Sequence, residues 1–516
     1  MNSNKRIFFN TVVLYGKMLI TMVFTLLSTR WILEALGTND FGLYSLVAGL
    51  IAMLSFLNTA MAVGTQRNLS FDIGKNDADG LKSTFLCSIV IHIVLGIIII
   101  FVLESIGVYY LTNFLNVPPE RNEDAVTILH IMTLSMFLTI IGVPFLALLN
   151  SHEHLWVIAI VNIIESLWKF GIAFFLLSYA GDRLITYAFL ILAMTLFSFF
   201  SMSVMCFIKY PETKCFHLKY CNWDKIKYLL TYSSWNIIGS IGLLLKGQGI
   251  AMIFNTFAGV AVNAAYGIAS QINGQLSFFS NSIIRSFNPQ IISSEGAGDH
   301  NRMVRLSFMS CKISTSLMLI IIVPLMFNLD IVLRLWLKNV PDYSVHFSFL
   351  ILVHSIFYQM FHGMELAIHA SGKIRNFSIF ACFLNLLTLP VAYVLLKVGL
   401  VIETALIVSI CATLFNMYNV AYNAERYCGV RASLFYKKVI FPLSGMLLIS
   451  MLICFTISHC TSQVVSFFSS YIVNLITIVL LFLFMLLSSD ERRTVFDCIL
   501  KIRLNNWPNK KKRLSK

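Results

Sequence analysis

The sequence predicts an all-α polytopic membrane protein of about fourteen transmembrane helices. Two parallel six-helix repeats surround a central cavity, and two C-terminal helices follow them. Three observations predict the membrane spans. Of 516 residues, 58% are hydrophobic and only 12% are charged, half the roughly 25% charged share of a soluble domain. Apolar runs recur that cross a core of about 30 Å as single helices, "STFLCSIVIHIVLGIIIIFVL" at 83–103 being the plainest. Lysine and arginine collect on alternate connections between those runs.

Taken in order, the spans lie near 11–33, 42–66, 83–111, 126–149, 155–179, 185–208, 229–256, 260–290, 306–328, 346–371, 376–396, 399–421, 438–458 and 463–488. The opening stretch starts basic, but its apolar region is too long for a signal peptide and lacks a small-residue cleavage site, so it reads as span 1. Residues 1–209 form an N-terminal six-helix lobe and 210–227 the loop between lobes. Residues 228–425 form the second six-helix lobe, 436–488 the two extra helices and 489–516 a basic tail suited to anionic headgroups. No connection is long enough for a folded domain, so function has to be built inside the helical bundle.

Orientation follows from the basic residues. Placing the N-terminus inside puts 29 of the 38 Lys and Arg on inner connections or their edges. Only Arg121, Arg183, Arg334, Lys338 and Lys397 then lie outside. Both termini are therefore expected on the cytoplasmic side of the membrane. The net charge of +14 is that of a chain facing anionic lipid, and no nucleic-acid partner is expected. Eleven cysteines include no C-x-x-C pair and read as reduced bystanders. No metal or cofactor is expected, and no phosphate-binding glycine-rich loop suggests ATP hydrolysis.

A shift of 222 positions aligns 37–77 with 259–299 without a gap. The identities are Gly37/Gly259, Tyr44/Tyr266, Leu54/Leu276, Ser55/Ser277, Phe56/Phe278, Gly74/Gly296 and Asp77/Asp299. Both segments hold the outer turn and second helix of a six-span unit, so the copies share one orientation, an architecture of transporters. In the turns, Gly37 suits a helix C-cap and Thr38, Asn39 or Asp40 an N-cap, with Gly259 and Asn263 at the matching place.

The stretches "LGTNDFGLYSL", "YGIASQINGQL" and "SFNPQI" (286–291) resemble the polysaccharide exporters of the MOP superfamily. That group includes Wzx-type O-antigen flippases, lipid II flippases and, more distantly, the MATE drug exporters. The resemblance covers about 1–425. It implies alternating access by two lobes and transport of an undecaprenyl-pyrophosphate-linked oligosaccharide across the inner membrane. It also implies cationic side chains lining the cavity.

The charges inside the spans point the same way. Lys246 sits mid-span among Ser240, Gly242, Gly247, Gln248 and Gly249, a poor helix-forming run that favours a bent, water-lining segment. A cation at that depth costs about 3 kcal/mol and is expected to face a cavity, where it contacts an anionic headgroup. Lys17 has no acidic neighbour within a turn and is a second candidate. Arg67 and Arg285 lie near the inner mouth. Arg30 has Glu34 and Lys169 has Glu165 at four-residue spacing, arrangements that read as structural pairs.

Span 10 adds a polar stripe, His354, Tyr358, His362, Glu365 and His369. It reads as lumen-lining polarity, or as an ion-coupling site at His362, Glu365 and His369. A metal is not expected there, since the spacing matches no zinc-protease signature.

The residues and the resemblance together favour a flippase, not an enzyme. Its expected partners are the lipid-linked oligosaccharide, membrane lipids, and a glycan polymerase with its export machinery. A proton- or sodium-coupled MATE-type multidrug exporter is the alternative. A glycan polymerase or glycosyltransferase is the alternative of another class, disfavoured by short outer connections without an acidic cluster.

Overall fold

The structure, a computed structural model, describes residues 3–52, 55–113, 121–214, 221–336, 340–460 and 463–486. The expected basic tail, Cys215, Cys498 and Lys338 lie outside the described residues, as do the side chains of Arg30, Thr38, Asn39 and Asn263. Among the described residues there is no strand, and sixteen α-helices follow one another. They are α1 (Ser3–Ala52), α2 (Ser55–Gly74), α3 (Ala78–Val102), α4 (Val108–Asn113), α5 (Asn122–Ser151), α6 (Leu155–Ser178), α7 (Arg183–Lys209) and α8 (Trp223–Gly296). After these come α9 (His300–Phe327), α10 (Leu329–Trp336), α11 (Ser344–Ser371), α12 (Arg375–Lys397), α13 (Thr404–Cys428), α14 (Ala432–Phe435), α15 (Phe441–Cys460) and α16 (Gln463–Leu481).

The described residues of every expected span fall mainly on helix. Among the described residues eleven helices are long and apolar enough to cross a membrane. The three that fall short are the first arm of α1, the span shared by the end of α1 with α2, and the second arm of α8. The last two carry polar runs such as "GTQRN" and "NPQ" that lower their hydropathy. Two reversals are hidden inside long helices. Gly37 (φ 75°, ψ 171°) breaks α1 in a conformation open to glycine. In α8 the Phe254 and Tyr266 rings are 5.3 Å apart. Twelve residues of straight helix would separate them by about 18 Å, so the chain doubles back there into an outbound and a return arm.

Polar side chains start several helices. Asp77 accepts from Gly80 N at 2.8 Å, Asp182 from Leu184 N at 3.0 Å, Asn222 from Asp224 N at 3.0 Å and Asp299 from Arg302 N at 3.0 Å. Asp77 and Asp299 are repeat partners. So are Asn76 (φ 56°) and Gly298 (φ 76°), the left-handed residues just before them. The 222-residue repeat is thus one turn built twice. Asp40, one of the expected caps, instead accepts from Arg121, which also donates to Asp124 and Asp182. This cluster ties α1, α5 and α7 together at one end of the bundle.

Two sets of helices, α1–α7 and α8–α13, hold separate cores, and α2 of the first set packs extensively against α8 of the second. Fully buried Ile128, Leu129, Ala173 and Leu176 centre a core of the first; Ile322, Met360, Phe361 and Met364 centre that of the second. The last two long helices lean on α9. Lys312 Nζ donates to Leu486 O at 2.6 Å, and Asn474 Nδ2 to Leu319 O at 3.1 Å and Ile320 O at 3.3 Å. Such bonds satisfy polar groups that would otherwise face hydrocarbon.

Candidate functional site

Many amides interrupt the apolar helices of the second group, five of them being Asn236, Asn273 and Asn281 in α8, Asn385 in α12 and Asn416 in α13. A buried amide without a partner is costly, so such residues face one another or water. In the structure all five line one cavity of about 410 Å³, with Ser240, Ser277, Gln359, Ser378 and Thr413. That volume lies within the usual range of ligand sites. The walls come from both arms of α8 and from α11, α12 and α13, with Met318 of α9. Ser355 donates to Asn273, and Asn419 Nδ2 to Asn416 Oδ1 at 3.1 Å. The repeat and the charges drew attention in the sequence; the amides gave the same signal more quietly.

Lys246 lines this cavity and also a smaller one of about 170 Å³ with Tyr266, Ser270 and Ser409. Its side chain is 7% exposed. Nζ lies 3.5 Å from His354 Nε2, and among the described residues no carboxylate pairs with it. A buried ammonium in that setting is unbalanced.

The stripe on α11 divides. His354, Tyr358, Glu365 and His369 line the cavity, whereas His362 is not among the lining residues. Tyr358 OH donates to Glu365 Oε2 at 3.1 Å and hydrogen-bonds His362 Nδ1 at 2.6 Å. His362 Nδ1 is 3.2 Å from Glu365 Oε2, and Asn416 Nδ2 donates to Glu365 Oε1 at 3.5 Å. His369 also meets Tyr232, whose OH is 3.1 Å from its Nδ1. Glu365 is therefore the carboxylate of the wall, and it is already engaged. Among the described residues no group of three or more His, Cys, Asp or Glu stands ready to hold a metal ion.

The other cations expected at the cavity lie elsewhere. Lys17 is half-buried on α1, within electrostatic reach of Arg285 and Glu165. With the Asn162 amide turned to satisfy both neighbours, its oxygen accepts from Lys17 and its nitrogen donates to Glu165 Oε2 at 3.2 Å. Glu165 thus serves Lys17 across the bundle rather than Lys169 along its own helix. Arg285 is exposed on the return arm of α8. Arg67 is buried between the helix groups, donating to Ala370 O at 2.6 Å, Tyr228 OH at 3.0 Å and Asn68 Oδ1 at 3.1 Å. Its guanidinium stacks over Phe71 at 4.6 Å. Arg67 is a strut between helix groups, while Lys17 and Arg285 stand together where α1 passes the return arm of α8.

Comparison with known proteins fits this arrangement. The MatE family model matches residues 14–175, within the first helix group. No curated protein sequence matches the chain. A MATE protein in the straight conformation superposes with a TM-score of 0.71 at 13% identity, covering 85% of this chain and 98% of that one. An outward-facing multidrug resistance MATE family transporter of the MOP superfamily gives 0.72 at 12%, covering 83% and 97%. A MOP superfamily transporter from Pyrococcus furiosus, described as having a binding pocket of reverse polarity, gives 0.70 at 13%, covering 83% and 96%. The fold of this chain is that of the MATE structures on which it superposes, and the MatE match covers part of it.

Proposed function

We propose that the chain is an alternating-access flippase that carries a lipid-linked oligosaccharide outward from the cytoplasmic leaflet. In this reading the face bearing the basic connections is cytoplasmic. The observation that carries it is Lys246, a buried cation with no carboxylate partner among the described residues, set in a cavity lined by amides and hydroxyls together with His354, His369 and Glu365. A pyrophosphate-linked glycan brings about two negative charges and many hydroxyls, which suit the ammonium and the amides respectively. Its polyprenyl tail stays in lipid. Moving two negative charges outward across an inside-negative potential is favourable by about 4.6 kcal/mol per 100 mV. Lys17 and Arg285, where α1 meets α8, supply a second positive region on the path.

A MATE-type multidrug exporter is the second reading, and the comparisons favour it: the family model and the superposing structures are those of MATE and MOP transporters. Glu365 on the cavity wall is the group a cationic drug would use. Reconstitution of the purified chain in liposomes separates the two. Translocation of a fluorescent polyprenyl-pyrophosphate oligosaccharide without drug efflux supports the flippase. Efflux of a cationic dye without glycan movement supports the exporter.

A further inference from the structure

Gly74 and Gly296 are repeat partners, and in the structure each receives the other's helix. A Cβ on Gly74 would overlap the Ser293 carbonyl and lie 2.7 Å from Ser293 Cα. A Cβ on Gly296 would overlap the Phe71 carbonyl and lie 3.1 Å from Phe71 Cα. Phe71 and Ser293 are themselves 222 residues apart. Two equivalent helix ends therefore cross backbone to backbone about a local two-fold, a closeness that a side chain at either glycine would forbid.

The bonds joining the helix groups gather at this end. Asp72 pairs with Lys225 at 3.2 Å and accepts from Thr84. Gln290 Nε2 donates to Glu153 Oε1 at 2.6 Å, and Thr11 Oγ1 is 2.9 Å from Ser286 Oγ. Tyr15 OH donates to Phe279 O at 2.8 Å. We propose that this double-glycine crossing is the gate closing the basic face, and that α2 and the return arm of α8 part at it when that face opens. The glycines set the balance between closed and open because nothing larger fits the closed state, while the open state is indifferent to a methyl group. This rests on alternating access but not on the identity of the cargo.

The test uses the full-length protein in nanodiscs, with Ser286→Cys as reporter and the chain without that substitution as background for the native thiols. Ser286 is 1% exposed in the closed crossing. Gly74→Ala and Gly296→Ala are each expected to raise its labelling by a membrane-impermeant maleimide about five-fold or more. Gly16→Ala, at a glycine with open space around it, is expected to leave labelling unchanged. Unchanged labelling in both crossing variants, with the protein monodisperse, overturns the proposal. A second arm covers the case where they fail to fold. Thr11→Cys with Ser286→Cys, oxidised to a disulfide, is expected to stop transport of whichever cargo the liposomes show, with recovery on reduction. Transport at the uncrosslinked rate with the disulfide formed also overturns it. A chain that labels as expected yet moves no glycan contradicts the cargo reading and leaves the gate standing.

Discussion

Lys246 Nζ stands 3.5 Å from His354 Nε2 at the junction of two cavities in the second helix group. Two basic groups meet there, and among the described residues no carboxylate balances the ammonium. A fold seeking stability alone would have little reason to keep that arrangement. A site for a negatively charged cargo has one.

The first expectation sets stability against function. Lys246→Met keeps most of the side-chain volume and removes the unbalanced charge. It is expected to raise unfolding stability by about 1–3 kcal/mol while transport falls at least ten-fold. Thermal unfolding in detergent and liposome transport read the two effects. A loss of stability would make Lys246 a structural charge.

Glu365 is the carboxylate on the wall, held by Tyr358, His362 and Asn416. Glu365→Gln keeps the shape and removes the charge. If this carboxylate couples an ion, the variant should no longer respond to an imposed proton or sodium gradient, while transport driven by membrane potential alone persists. An unchanged response to both gradients would leave Glu365 as a support for the α11 stripe.

At the basic face, Glu212 is 6% exposed and meets His152 Nε2 at 2.7 Å. Burial, the largest single influence, pushes its carboxyl up, but the hydrogen bonds from His152 and from its own backbone, with the nearby charges of His152 and Lys82, together outweigh this and hold it below the usual carboxylate range. The sign follows. Its stabilisation is complete above the ordinary value of about 4.3 and is lost as pH falls through the lowered folded value. Glu212→Gln is therefore expected to unfold earlier than the parent at neutral pH, by about 1–3 kcal/mol. The gap between the two should narrow as pH drops below 4. A gap that stays constant would contradict this reading.

Much of the fold was legible because hydrocarbon leaves a chain few choices. The described part of each expected span falls mainly on helix, and two of the seven repeat identities, Gly74/Gly296 and Asp77/Asp299, flank a turn that the structure builds twice, at Asn76–Asp77 and Gly298–Asp299. The site was legible only in part. Lys246 stood out as a charge in an apolar run, but Asn236, Asn273, Asn281, Asn385 and Asn416 come from three helices, and local pattern does not show that they converge. Lys17 looked unpaired because spacing along one helix cannot reveal Glu165 and Asn162 on another. Arg67 has the charge of a cavity residue and the surroundings of a strut, a difference made by Ala370 and Tyr228 far along the chain. The two crossing glycines were visible as repeat partners, but their contact is a property of the assembled bundle.

The most direct test of the central claim is the leaflet distribution of lipid-linked oligosaccharide in cells lacking this chain, complemented by the parent or by Lys246→Ala expressed at equal level. The expected result is intermediates held on the cytoplasmic leaflet without the chain, release by the parent, and at least ten-fold weaker release by Lys246→Ala. Intermediates that reach the outer leaflet normally without the chain, with raised sensitivity to cationic drugs, would contradict the flippase and move the protein to the exporters.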